Sequence, residues 1–376
     1  MKNIHFLSTT VRRYILLSSI VATAGIFLSL YVYPGLDVAR QTKPAIQLGA
    51  YYFDGWSGLT HGHLTEALMD SFPERKPTWG WITSTPNIMQ KQIDAAADAG
   101  LSFFSFCWYS PNSTTTTFQN DPLNRALKFY LKAPNQKRLK FCLMVANHSG
   151  FFIGPSEWPR VSQAWIDLFK QPQYVKVNGR PLLIFFSIST LIQKFGTSQA
   201  VHQAFDSLRT AAQAQGLPGV TIAACLSSSK PELAQAQECG FDVLTGYNYH
   251  GAGFKQNDQV VPIDSLLAGS RRVWNRFEAS PLPYIPVATL NWDPRPWAST
   301  SRSYAQSSRY TGYSPQSVYQ AIRDARDWVD LHPDKTTRER LVLAYAWNEN
   351  GEGAWLTPSA NQGDNLLNGV RRAVKP

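Results

Sequence analysis

From Ala45 onward, eight short runs of β-branched and aromatic residues alternate with longer stretches of helical period, and neither G-x-G-x-x-G nor G-x-x-x-x-G-K-[ST] follows any run. Ahead of them lies an uncharged 20-residue segment, Tyr14 to Tyr33. These observations predict an α/β chain: a (β/α)8 TIM barrel preceded by a single N-terminal transmembrane or signal-anchor helix. An open, doubly wound sheet is the alternative, and it would bring the nucleotide fingerprint that is missing. The expected organisation is residues 1–43 as a cytoplasmic stub, anchor helix and short linker, and residues 44–376 as the barrel.

The N-terminal segment comes first. A 20-residue helix spans about 30 Å, the hydrocarbon thickness of a bilayer. Tyr14, Tyr31 and Tyr33 suit the interfaces, and Arg12 with Arg13 suits a cytoplasmic start. Lys2, Arg12, Arg13, Arg40 and Lys43 against Asp37 give +4 of the net +10, leaving +6 for the rest. Ala22-Thr23-Ala24 has the form of a cleavage site, but cutting there would leave the apolar stretch Ile26 to Tyr33 on the mature end. An uncleaved membrane anchor is therefore preferred over secretion, with the barrel on the periplasmic or extracytoplasmic side.

The expected strands are Ile46 to Phe53, Ser102 to Tyr109, Lys140 to Asn147, Pro181 to Ser187, Val220 to Ser227, Asp242 to Tyr249, Tyr284 to Asn291 and Leu341 to Asn348. Several are apolar nearly throughout, as strands covered on both faces are. Between them fall helical segments such as Asn87 to Ala99, Ser198 to Gln215, Pro231 to Cys239 and Pro315 to Leu331. Gly100, Gly216 and Gly240 are natural stops for the first three.

Composition narrows the function. With 44% hydrophobic and 16% charged residues among 376, disorder and coiled coil are excluded. Despite the positive charge there is no run of five or more Lys/Arg and no zinc-finger or RNA-binding motif, so no nucleic-acid partner is expected. Cys107, Cys142 and Cys225 sit inside apolar strand-like runs and no C-x-x-C occurs, which argues against zinc or thioredoxin-like chemistry. His61, His63, His148 and His250 lack any H-E-x-x-H spacing, and no G-x-S-x-G elbow is present. Neither a metal nor another cofactor is expected.

In a βα barrel, chemistry gathers where the strands end. The first strand ends in Tyr52, Asp54 and Trp56, the second in Trp108 and Tyr109, the third in Asn147 and His148. The sixth ends in Tyr247, Asn248, Tyr249 and His250, and the seventh in Trp292, Asp293, Arg295 and Trp297. Aromatic planes and amides recur, as a sugar-binding ring requires, and a polysaccharide or oligosaccharide is the expected partner. Past the last strand stand Asn348, Glu349 and Glu352. Two carboxylates three residues apart at that place can flank one bond as acid and base or nucleophile, with burial and mutual repulsion raising the pKa of one of them. The segment 294–314 carries Arg295, Arg302 and Arg309 among Trp297, Tyr304, Tyr310 and Tyr313 without an acidic residue, and is expected to grip an acidic or richly hydroxylated glycan.

The run AWNENGEGAWLTPS, Ala346 to Ser359, resembles the W-N-E-x-x-E-G motif of the family 71/99-like glycoside hydrolases, barrel enzymes that include α-mannan-cleaving endo-enzymes and α-1,3-glucanases. GAYYFDGW at Gly49 to Trp56, FFSFCWYS and NWDPRPW resemble the family's first, second and seventh strands. The resemblance covers nearly the whole chain after Lys43. It implies an endo-glycosidase of α-linked polysaccharide, with Glu349 as a base on the sugar 2-hydroxyl and Glu352 as the acid/base at the glycosidic oxygen. Asn350 and Gly351 stand where the mannan-cleaving branch has bulkier Trp and His, so the substrate's configuration stays open between manno and gluco. A non-catalytic glycan-binding barrel and a glycosyltransferase of surface-polysaccharide assembly are the alternatives.

Overall fold

Eight parallel strands carry the fold: β1 Gln47–Tyr52, β2 Phe103–Trp108, β3 Lys140–Val145, β4 Arg180–Phe185, β5 Thr221–Cys225, β6 Val243–Thr245, β7 Val287–Thr289 and β8 Leu341–Tyr345. The computed structural model describes residues 45–60, 62–111, 117–227, 230–299 and 306–375. The Tyr14 to Tyr33 segment, His61, Arg302 and Tyr304 lie outside these, so the expected anchor helix does too. Among the described residues no helix is long and apolar enough to cross a membrane.

The strands lie in the order β6, β5, β4, β3, β2, β1, β8, β7. Between β6 and β7 the ring closes by one narrow seam, where Leu244 N–H donates to Pro283 O at 2.9 Å and Ile285 N–H to Leu244 O at 2.9 Å. The arrangement is a TIM barrel, as the alternation implied. Every position of β2 and β5 is buried, because the barrel interior covers one face and helices the other.

Helices α1 Pro86–Asp98, α2 Arg125–Lys132, α3 Trp158–Phe169, α4 Ser198–Ala214, α5 Lys230–Glu238, α6 Ile263–Arg276, α7 Pro315–Leu331 and α8 Asn365–Val374 alternate with the strands. Their ends follow from local chemistry. Pro86 opens α1 behind Thr85, whose hydroxyl accepts from Ile88 N–H, and Ser314 with Ser317 form a reciprocal capping box on α7. Gly100, Gly216 and Gly240 take positive φ just beyond α1, α4 and α5.

Strands β6 and β7 are shorter than the apolar runs that encode them. Pro283 and Pro286 have no N–H to give a ladder, so β7 begins only at Val287. The segment 294–314 is also less irregular than its composition suggests, because Arg309–Thr311 pairs in parallel with Val260–Pro262. All four cysteines are buried and unbridged.

Candidate active site

The two carboxylates sit on a hairpin just past β8. Asn348–Glu349 pairs antiparallel with Ala354–Trp355, and a single 3-10 turn, Asn350–Glu352, joins the two short strands. Gly353 closes that turn at φ 76°, a left-handed conformation, with Asp293 backbone atoms 3.1 and 3.2 Å from where a Cβ would stand. At Gly351 a Cβ would fall 2.2 Å from Trp297 Cζ2. The missing side chain thus lets an indole from the loop after β7 lie against the turn, at one of the two positions where this sequence departs from the mannan-cleaving motif.

Neighbouring loops hold the hairpin from both sides. On the β1 side the Asn348 amide exchanges two hydrogen bonds with the Phe53 backbone, at 2.8 and 2.7 Å, and Trp56 Nε1 donates to Asn348 O at 2.8 Å. On the β7 side Asp293 N–H donates to Glu352 O at 2.7 Å and Asn291 Nδ2 to Gly353 O at 2.6 Å. Beneath lies Arg75, 2% exposed, from the 3-10 turn Pro73–Arg75. Its Nη1 donates to Asn350 O at 3.1 Å and Asp293 O at 3.0 Å, while Nη2 meets Asp293 Oδ2 at 2.6 Å.

Each carboxylate receives one phenol: Tyr247 donates to Glu349 and Tyr345 donates to Glu352. Burial, then the charge of Glu352, pushes Glu349 well above the usual carboxylate range, against the Tyr247 hydrogen bond. Burial pushes Glu352 up to about 7, with Tyr345 pulling the other way. Two carboxylates this close in a buried site titrate as a pair, and the pair keeps a proton near neutral pH. Burial lowers His63, His148 and His250, so these rings are neutral at pH 7. Among the described residues no group of three His, Cys, Asp or Glu side chains is placed to hold a metal ion.

A cleft opens over the pair in two halves that share Phe186, Tyr247 and Glu352. The half of about 520 Å³ is lined by Phe53, Tyr109, Met144, His148, Phe151, Trp297 and Glu349 among others. The other, of about 710 Å³, runs past Asn248, Tyr249, His250 and Trp292 toward Glu232 and Arg276. His250 stacks on Trp292 with ring centroids 4.0 Å apart. Glu349 lines only the smaller half, whereas Glu352 lines both and so stands at their junction.

Ten of the residues expected at the site thus line the cleft: Tyr109, His148, Tyr247, Asn248, Tyr249, His250, Trp292, Trp297, Glu349 and Glu352. Eight do not, and each is engaged elsewhere. Tyr52 accepts from Gln92 Nε2 at 3.0 Å on the helix side of the sheet. The Asp54 carboxylate takes Ser84 Oγ and Ala126 N–H at the start of α2, and burial raises its pKa to about 7. Trp108 packs on Trp165 and Phe118. Asn147 donates to Ser187 O at 2.7 Å, joining the ends of β3 and β4. Trp56 and Asn348 fasten the hairpin as described. Asp293 is forked by Arg295 at 2.7 Å through both Nε and Nη2, and although burial would raise it, that fork and the Arg75 charge hold its pKa low. Arg295 is therefore committed to Asp293, and neither it nor Arg309 lines the cleft. His63, Phe151, Phe186, Arg75 and Tyr345 are among the site residues that no sequence motif marks.

Residues 81–370 match the family model described as Glycosyltransferase WbsX. The chain belongs to that family. A curated relative is the uncharacterized protein WxcX of Xanthomonas campestris pv. campestris, 24% identical over 315 residues, which cover 77% of this chain. The chain spans about two fifths of that relative, the match covering 41% of its length. Among solved structures, a glycoside hydrolase-like protein superposes with TM-score 0.63 at 15% identity, over 88% of this chain and 94% of the other. The GH99 endo-alpha-mannosidase from Bacteroides thetaiotaomicron gives 0.60 at 14% identity, over 87% and 95%. At such identities the likeness is one of fold, and it places this WbsX-family chain on the barrel that the W-N-E-x-x-E-G resemblance implied.

Proposed function

We propose that the chain is a glycosidase of α-linked polysaccharide in which Glu352 protonates the leaving glycosidic oxygen and Glu349 acts as the base on the glycone. The observation that carries this reading is the place of Glu352 at the junction of two half-clefts, with Glu349 on one side only. A chain threaded through both halves would put one bond over Glu352, the position of a general acid in an endo-acting enzyme. Its pKa of about 7 suits a group that must hold a proton near neutrality. Burial and the charge of Glu352 raise Glu349 too, and a hydroxyl donated by a bound sugar would favour its ionised form. In the chemistry implied by the family 99 resemblance, Glu349 takes the 2-hydroxyl proton as O2 closes on C1 and the C1–O bond breaks. Water then opens the three-membered ring at C1: Glu352 takes the water proton and Glu349 returns its proton to O2, so both carboxyls regain their starting states.

The family description supports a second reading, transfer of a sugar to another sugar rather than to water. Product analysis separates the two. Incubation with α-mannans, α-glucans and the producer's own exopolysaccharide is expected to yield shorter reducing chains without any nucleotide sugar; elongation that consumes a nucleotide-sugar donor would overturn the glycosidase reading. The substrate-binding roles of Trp292, His250, Tyr109 and Trp297 belong to the same proposal. We also propose that Tyr14 to Tyr33 anchors the protein with the barrel outside the cytoplasm. Full-length protein is then expected in the membrane fraction and open to external protease, and a soluble form starting at Gly25 would overturn the anchor.

A further inference from the structure

The two halves of the cleft differ in chemistry, and the difference bears on what sugar each can take. The larger half offers Ser187, Ser189, Ser227, Glu232, Gln235 and Arg276, side chains that pair hydroxyls. The half beside Glu349 has instead an aliphatic and aromatic lining: Leu123, Met144, Ala146, Phe53, Phe151 and Phe186. Among its described residues there is no Lys or Arg, and its histidines are neutral at pH 7. The neutral His148 spends its Nδ1–H on Ser149 O at 3.0 Å, which leaves one acceptor, Nε2. Beyond that ring, the described side chains that can meet a hydroxyl there are the two carboxyls, the Tyr109 and Tyr247 phenols, the Trp297 indole N–H and His63, whose buried Nδ1 has no partner among the described residues.

We propose that this half of the cleft binds a neutral sugar ring on which an apolar group stands in place of a hydroxyl, either the C6 methyl of a 6-deoxyhexose or an O-acyl group. Its placement as the glycone side rests on the reading of Glu349 and Glu352 given above. A hydroxyl buried against Met144, Ala146 and Phe151 without a partner weakens binding by roughly five- to a hundredfold. A methyl placed there gains contact instead. An anionic sugar fares worse, because it would face Glu349 with no cation from the described lining to offset its charge.

Binding of methyl glycosides to the full-length wild-type protein tests this without needing turnover. Four probes share one ring configuration: the α-hexoside, its 6-deoxy analogue, its 6-O-acetyl ester and its 6-carboxylate. The 6-deoxy or the acetyl compound is expected to bind at least about tenfold tighter than the hexoside, with saturation transfer strongest at the methyl protons, and the carboxylate to bind weakest. Which of the two wins tells deoxy sugar from acyl group. Phe151→Asn, at a half-buried loop position, is expected to narrow the preference while the fold persists by circular dichroism. A hexoside that binds as well as both the 6-deoxy and the acetyl probe, a carboxylate that binds better, or no binding of the apolar probes overturns the proposal. Deoxy-sugar binding without cleavage of any polysaccharide would leave this inference standing and remove the glycosidase reading. Cleavage of plain hexose polymers with no preference would do the reverse.

Discussion

Glu349→Gln and Glu352→Gln are each expected to lose at least about a hundredfold in kcat/KM on the true substrate, since each removes a proton carrier and keeps the shape. The two losses differ in kind. A substrate with a strongly acidic leaving group does not need its oxygen protonated, so it should restore Glu352→Gln by at least about tenfold and leave Glu349→Gln inactive. Wild-type activity is expected to fall as pH rises through about 7, where the acid loses its proton, and the apparent values belong to the pair. Stability gives an independent check. Glu352 is raised in the fold from 4.5 to about 7, so the folded chain binds its proton more tightly than the unfolded chain does. The associated stability is present below about 4.5 and is lost as pH rises through about 7, by about 3 kcal/mol in all. Glu352→Gln should therefore be more stable than wild type at pH 8 and not at pH 4. Asp54, also raised to about 7, is common to both proteins and cancels from the comparison. Near wild-type turnover in either variant, or no stability gain at pH 8, would remove the assignment.

The barrel was legible in the sequence because its signal is redundant. Eight apolar runs and the Gly stops after α1, α4 and α5 each fix a place, and proline explains the shortening of β7. Strand ends were harder, since neighbouring residues there alternate between faces while both are aromatic. Tyr51 sends its hydroxyl across the barrel interior to Gly246 O at 2.6 Å, whereas Tyr52 beside it packs outward on Phe104, Phe106 and Gln92. Tyr109 reaches the cleft and Trp108 turns to the helices. Period-two alternation tells which face is polar only where one face is wet, and here neither is. Asparagines 147 and 348 misled for another reason: a buried amide offers the same two bonds to a sugar or to a loop backbone, and in this chain the loops have taken them. Tyr345 and Tyr247, which meet the carboxylates, lie at different distances along the chain and share no spacing with them. Only the ring of strands brings them together.

Arg75 is the site residue with the least signal in the sequence and the second largest expected effect. It lies about 275 residues before the hairpin, in an ordinary Pro-Glu-Arg turn. Yet its guanidinium joins the Asn350 carbonyl of the turn between the two carboxylates to both the carbonyl and the carboxylate of Asp293. A planar fork can meet three acceptors at fixed angles, and an ammonium on a flexible stem cannot. Arg75→Met leaves two buried carbonyls short of a donor, while Asp293 keeps Arg295, so the cost in stability is expected at the low end for a broken buried pair, about 3 kcal/mol. Arg75→Lys should recover part of that stability but little of the activity. Because Arg75 does not line the cleft, KM is expected to change less than threefold while kcat falls by at least about tenfold, as when the acid is displaced by a fraction of an ångström. A loosened turn would let water reach Glu352, lowering its raised pKa, so the alkaline limb of the pH profile should move below 7. That shift is the measurement that separates positioning from mere folding. If folded Arg75→Lys keeps both the wild-type kcat and the wild-type limb, the guanidinium only holds the loops together and has no part in poising Glu352.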